Sequence, residues 1–413
     1  MRLFFAGLIC GSATLPAAPL TLPDYLTRAA AANPDLQAYA ARYEAARERI
    51  PQAAALPDPT LQVTHFVESV QTRTGPQKNI VMLSQRLPWF GRRNGRTRGA
   101  EADAEAIQYA FQARQLLLAR TVATAFFDYA YLGHAIELTT RNLALLESLE
   151  PQAEERVRTG ADLTPLLRLK VEIGILGDRL ATLRQQRPQL SARLAAWLAL
   201  PPSDVLPWPE WEPPAMPTPP DAAALLAAMD ATNPELLMLE RKIGSARARA
   251  ELTRLESRPD FTVGVTYIQI GDPVVNPTTP DAGRDPWSVT LAVNLPIWNG
   301  RTLATQREAG ALQRSAESEL TDRRNQLHAD ATIALAALQD AHRRIGLYAE
   351  DLLPLARQAL ENTRASYSNN RASLLELIDS ERSQLDLDLQ LWRAHTDAAQ
   401  QLIALQTLAN QPL

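Results

Sequence analysis

The residues best equipped for chemistry are few and scattered. Five histidines (His65, His134, His328, His342 and His395) stand in 413 residues, and none shares the His-x3-His spacing that sets two ring nitrogens on one helix face. Cys10 is the single cysteine, which excludes an intrachain disulfide and gives no histidine a thiolate partner. No glycine-rich phosphate loop and no Ser/His/Asp grouping can be read from the spacing. The sequence therefore predicts no catalytic group, no metal ligand set and no cofactor: the chain is not an enzyme. Cys10 follows an apolar run, Leu3 to Ile9, behind Arg2, the pattern of a short export signal. The cysteine is either a lipid-attachment site or is lost with the signal.

What recurs is a structural punctuation. Ile80-Val81-Met82-Leu83-Ser84-Gln85-Arg86-Leu87-Pro88-Trp89-Phe90-Gly91-Arg92 returns as Ser288-Val289-Thr290-Leu291-Ala292-Val293-Asn294-Leu295-Pro296-Ile297-Trp298-Asn299-Gly300-Arg301. Each copy alternates apolar and polar residues as a half-buried strand does. Pro88 and Pro296 then remove a ladder donor, Gly91 and Gly300 permit a turn, and a long helix-forming segment follows. The surroundings repeat too: Asn33-Pro34-Asp35-Leu36 matches Asn233-Pro234-Glu235-Leu236, and Leu166-Leu167-Arg168-Leu169 matches Leu374-Leu375-Glu376-Leu377. The chain reads as a tandem duplication: an export signal over 1–19, a first repeat over 20–200, a Pro/Trp-rich connector over 201–220 and a second repeat over 221–413.

Each repeat reads as helix, two strands and a long helical hairpin. Helices are expected from Leu20 to about Ala55 with a break at Asn33-Pro34, from Thr97 to about Glu150, from Leu163 to Leu200, from about Arg301 to Ser368 and from about Ala372 to Leu408. Strands of about 9 to 11 residues are expected near Thr60–Glu68, Ile80–Leu87, Phe261–Tyr267 and Trp287–Leu295, with 69–79 and 271–286 as loops. Lys and Arg number 42 against 46 Asp and Glu, interleaved along the helices, which argues against a nucleic-acid partner.

No run reaches the ~18 apolar residues of a membrane-spanning helix, so a membrane can be crossed only through strands. Four strands cannot close a membrane barrel, which needs about eight, and open edges are costly in lipid. Three chains would supply twelve. Trp89, Phe90, Tyr267 and Trp298 sit near strand ends, where an aromatic girdle in contact with outer-membrane lipid belongs. The alternative is a soluble hairpin packed on a helix bundle.

With these motifs the chain resembles the outer-membrane factors of tripartite efflux systems, the TolC family. Within it, Leu56-Pro57-Asp58-Pro59 and Ser84-Gln85-Arg86-Leu87-Pro88-Trp89-Phe90-Gly91-Arg92 are most similar to the heavy-metal (cobalt–zinc–cadmium or copper–silver) members. The resemblance implies a mainly α chain with membrane β-strands. As a homotrimer it would form a twelve-stranded outer-membrane barrel continuous with a periplasmic α-helical barrel in a Gram-negative bacterium. It implies a periplasmic adaptor (membrane fusion) protein and an inner-membrane RND-type pump as partners, and efflux, here of heavy-metal cations, as function. It also implies an acidic periplasmic gate: by motif match Glu376 and Asp379, with Arg168 as the first-repeat counterpart of Glu376. The plainer reading is that the two carboxylates, three residues apart, face solvent on an ordinary helix surface. Drug or general efflux, type I secretion and a periplasmic coiled-coil adaptor or scaffold are the alternative functions.

Overall fold

The computed structural model describes residues 21–201, 205–213, 219–273, 278 and 280–411. The export signal and Cys10 lie outside the described residues, as do parts of the connector. In order, the elements are α1 (Leu22–Ala32), α2 (Pro34–Ala54), β1 (Thr60–His65), β2 (Gln71–Thr72), β3 (Gly75–Leu87), α3 (Arg92–Arg158), α4 (Thr164–Trp197), α5 (Ala222–Thr232), α6 (Pro234–Glu256), β4 (Phe261–Ile270), β5 (Trp287–Val293), α7 (Asn299–Gly346), α8 (Leu353–Ser368) and α9 (Leu374–Leu408).

The two Asn-Pro junctions share one backbone conformation. Asn33 (φ −67°, ψ 120°) and Asn233 (φ −65°, ψ 121°) are both extended, as a residue before proline must be, and Pro34 and Pro234 open the next helix. Asn233 also caps α6, its Oδ1 accepting the Glu235 N–H at 2.9 Å.

α3 exceeds its expected limits at both ends, whereas α4 and α9 fall slightly inside theirs. Gly91, at φ +86°, turns the chain so sharply that α3 begins at Arg92 rather than Thr97. It continues through Pro151, where one missing N–H does not outweigh seven further residues of helix, and runs for 67 residues, roughly 100 Å. Between α7 and α8 a wide π turn, Leu347–Leu352, interrupts the single helix expected over 301–368. It lies just ahead of Pro354, whose ring and missing N–H cannot fit a regular ladder.

The strands depart from uniform length. β1 has 6 residues, β3 has 13, β4 has 10 and β5 has 7. Much of the expected loop over 69–79 is strand, because Gly75 (φ +139°) lets β2 fold back on the start of β3. A Cβ there would lie 2.0 Å from the Gly271 carbonyl oxygen, so the position admits only glycine.

The chain forms two compact units, each drawing on both repeats. One holds 35–114 and 227–329 and contains the sheet, ordered β1-β3-β4-β5 and antiparallel throughout, with β2 paired to β3 alone. The β3–β4 ladder joins the repeats.

The other holds the described parts of 1–34, 115–226 and 330–413 and is helical. One of its cores gathers Tyr25, Val122, Phe126, Tyr129, Leu194 and Leu206. The connector is part of this core: Tyr129 Oη donates to the Leu206 carbonyl at 2.6 Å, and Leu206 N–H donates to Ser191 Oγ at 2.7 Å. A second core, with Leu146, Leu169, Leu176, Leu360, Leu377 and Leu385, runs along the helical hairpins.

Candidate functional sites

Pairing register puts directly opposed residues on one face of a sheet. Here Leu61, Leu83, Val265 and Val289 form one row across all four strands, and Val63, Val81, Tyr267 and Trp287 form the next but one. These side chains are open to the surroundings: Leu61 is 65 % exposed, Leu83 52 %, Val265 47 % and Val289 64 %. The opposite face carries Thr60, Ser84, Gly264 and Thr290, then Gln62, Met82, Thr266 and Ser288. A contiguous exposed aliphatic face backed by small and polar residues is the reverse of a water-soluble sheet and suits contact with lipid. From the Leu87–Phe261–Val293 row to the Tyr267–Trp287 row is six residues, roughly 20 Å of strand. Trp89, Phe90 and Trp298 follow one end of this band and Tyr267 stands at the other, with Phe90 82 % and Trp298 78 % exposed.

At the end where strands pass into helices, the chain is locked by a carboxylate for which the sequence predicts no role. Asp260, just before β4, is 3 % exposed. It accepts from Arg86 Nη2 at 2.6 Å, from Arg92 Nη1 at 2.5 Å and from the Trp89 N–H at 3.0 Å. Its own N–H donates to the Asn294 side chain. Burial pushes this carboxyl up, but the Arg86 hydrogen bond, the Trp89 N–H and the two guanidinium charges hold it below the usual carboxylate range. Arg92 donates further to the carbonyls of Leu255, Glu256 and Arg258. The first repeat's strand exit is thus tied to the second repeat's strand entry. Pro88 and Pro296 lie in the links leaving β3 and β5; Gly91 makes the left-handed turn, while Gly300 sits in the first turn of α7 with open space around it.

The two helical hairpins turn alike. Gly160 (φ +102°) and Asn370 (φ +56°) are both left-handed, followed by Ala161 N–H to Arg156 O at 2.9 Å and Arg371 N–H to Ser366 O at 2.8 Å. Asparagine tolerates that conformation, so a glycine is not needed at 370. Glu376 closes a capping box: its carboxylate accepts from the Ser373 N–H at 2.7 Å, and its own N–H donates to Ser373 Oγ at 3.2 Å. Those bonds from the Ser373 backbone and hydroxyl hold the Glu376 carboxyl below its ordinary range. Arg168 and Asp379 line one groove between α4 and α9, about 370 Å³, with Glu172 and Arg382. No ion pair joins Arg168 to Glu376 or Asp379 among the described residues. Beside them Glu381, missed in the sequence, is 3 % exposed and bound by Arg364 at 2.6 Å. Burial raises its carboxyl against the opposing pull of Arg364.

Among the described residues no group of three His, Cys, Asp or Glu is placed to hold a metal ion, and no helix is long and apolar enough to cross a membrane. His134 stacks on Trp392 with centroids 3.7 Å apart, His65 pairs with Asn79 at 2.7 Å, and His328 with Asp230 at 2.9 Å.

The sheet thus presents an open aliphatic face and leads at both exits into long helices. The chain belongs to the outer membrane efflux protein family, which it matches over residues 25–199 and 225–411. Proteins of this family are passive channels and not enzymes. Nodulation protein T of Rhizobium leguminosarum bv. trifolii is 23 % identical over 385 residues, covering 88 % of this chain and 79 % of that protein. Among solved structures the fold is shared with CusC (18 % identical, TM-score 0.79, covering 97 % of this chain and 96 % of that one). It is shared as well with VceC of Vibrio cholerae (18 %, TM-score 0.77, 94 % and 96 %) and with the MtrE outer membrane channel of Neisseria gonorrhoeae (19 %, TM-score 0.76, 94 % and 89 %).

Proposed function

We propose that this chain is the outer-membrane channel of a tripartite efflux system, a passive homotrimeric conduit served by a periplasmic adaptor and an inner-membrane RND-type pump. The observation that carries the reading is the four-strand sheet with one exposed aliphatic face. Its outer strands β1 and β5 have unpaired edges, which lipid does not tolerate. β1 leaves the strand–helix junction and β5 returns to it, so the β5 of one copy can pair antiparallel with the β1 of the next. Three copies would close a twelve-stranded barrel. The hairpin ends carrying Arg168, Glu376 and Asp379 are proposed as the periplasmic constriction, with Asp379 and Arg168 facing one groove and Glu376 fixing the α9 end.

Heavy-metal cations as cargo rest on the two sequence motifs alone. Deleting the gene in its host and measuring inhibition by zinc, cobalt, cadmium, copper, silver, detergents and dyes tests both levels. Sensitivity confined to metals and rescued by the wild-type gene supports metal efflux, and sensitivity to dyes and detergents alone overturns it. Fractionation tests the channel itself: the protein must resist high-salt washing and need detergent for release. Recovery in the soluble fraction overturns the conduit and favours a periplasmic scaffold.

A further inference from the structure

The stretch from Arg86 to Arg98 holds five arginines and no carboxylate. Four arginines, Arg86, Arg92, Arg96 and Arg301, converge with Asp260 and Glu256 around a pocket of about 410 Å³ at the strand–helix junction. Register places this pocket on the polar side of the sheet. Arg86 is opposite Thr262, which is opposite Ala292, and the residues of that row lie on the face away from Leu83 and Val265. Asp260 is already saturated by Arg86, Arg92 and the Trp89 N–H, which leaves Glu256 as the one other carboxylate lining the pocket, against Arg96 and Arg301. Arg96 and Arg301 form no ion pair among the described residues.

Two helix starts reinforce the charge. α3 begins at Arg92 and α7 at Asn299, and neither has an acidic residue in its first turn. Helix N-termini carry positive partial charge and free N–H groups, so an acidic residue there would stabilise and arginine does the reverse. A chain that sets Arg92, Arg93 and Arg301 at both starts is breaking a local rule, as chains do where function requires it.

We propose that this pocket is an anion-binding site on the pore-facing side of the sheet and that it makes the channel anion-selective. The proposal rests on the conduit reading above, opposes heavy-metal cations as its cargo, and names another class: species bearing carboxylate, phosphate or other oxyanion groups, which guanidinium groups bind well. Free metal cations would be repelled there. Three copies would close the pockets into a positive collar, the arrangement by which charged side chains set the sign of the permeant ion.

The test is reversal-potential measurement on the purified full-length protein in planar bilayers across a KCl gradient. The wild type should pass chloride in preference to potassium, less so as salt rises from 0.1 to 1 M and the Debye length falls from about 10 to about 3 Å. Arg96→Glu/Arg301→Glu should invert the preference, and Arg96→Gln/Arg301→Gln should shift it partway. Neither substitution touches the Asp260 network, and detergent extraction and helical circular dichroism confirm that the variants fold and insert. Cation preference in the wild type, or an unchanged ratio in the charge reversal, overturns the anion site while leaving the conduit. Absence of any conductance from inserted, folded protein overturns the conduit itself.

Discussion

Replacing Asp260 with asparagine probes whether the junction is held by charge. The substitution keeps a side-chain acceptor for the Trp89 N–H but removes the negative charge facing two guanidinium groups. The Arg86 side chain is 59 % exposed, so water screens it and its share is at most about 1 kcal/mol. The Arg92 side chain is 7 % exposed and would be left buried with no counter-ion. Stranding one partner of a buried pair costs about 3–5 kcal/mol. Three backbone carbonyls still accept from Arg92, which places the expected loss at the lower end, about 3 kcal/mol. Arg92→Met should destabilise by itself, and the double variant should recover about 2 kcal/mol relative to the sum of the two. Denaturant unfolding in detergent, read by tryptophan fluorescence, measures this: Trp89 stacks on Phe261 at 5.8 Å and reports the junction directly. A loss below about 0.5 kcal/mol for Asp260→Asn, or strict additivity with Arg92→Met, would refute the charge lock.

Further outcomes follow from other elements. Leu83→Arg, in the middle of the aliphatic face, should cost about 2–4 kcal/mol in lipid and lower the amount of detergent-extractable trimer in outer-membrane fractions. Leu83→Ile should not. Ser373→Ala should cost about 1 kcal/mol of helix stability at the α9 start, read as earlier proteolysis at the 369–373 turn. Burial lowers the pKa of both His134 and His395 from the ordinary 6.5. A lowered folded value means that stability is present above pH 6.5 and is lost as pH falls through the folded values. The helical unit should therefore melt earlier at pH 5 than at pH 7.5, and His134→Phe/His395→Leu should flatten that profile in a thermal scan. Asp379→Ala/Arg168→Ala should raise single-channel conductance, and unchanged conductance would remove the constriction from these residues.

The strand–Pro–Gly–helix punctuation was legible because its signals are local. Alternation, a missing donor and a turn residue act within a few positions, and the two copies reinforce one another. Gly91 was likewise legible as a turn residue, for the same reason. Strand lengths were not, since pairing sets them: β1 leaves the ladder after His65 although its apolar pattern continues and β3 runs on, and β3 extends back to Gly75 because Gln71–Thr72 and β4 supply partners. The roles of Asp260 and Glu381 were not legible, because a carboxylate in sequence gives no sign that folding will bury it against an arginine of another element. Glu376, singled out for a gate, uses its carboxylate in its own helix cap, a use that the Ser373-x-x-Glu376 spacing already spelled out.

The sequence by itself determined the recurring strand–Pro–Gly–helix motif, the long helices and the aliphatic alternation of the strands, since each depends on the order of neighbouring side chains. Only the tertiary structure decided that β3 pairs with β4, so that both halves of the chain share one sheet, and that arginines from both halves meet at one pocket. Those outcomes depend on contacts between residues some two hundred positions apart, and no local pattern encodes which distant partner a side chain will meet.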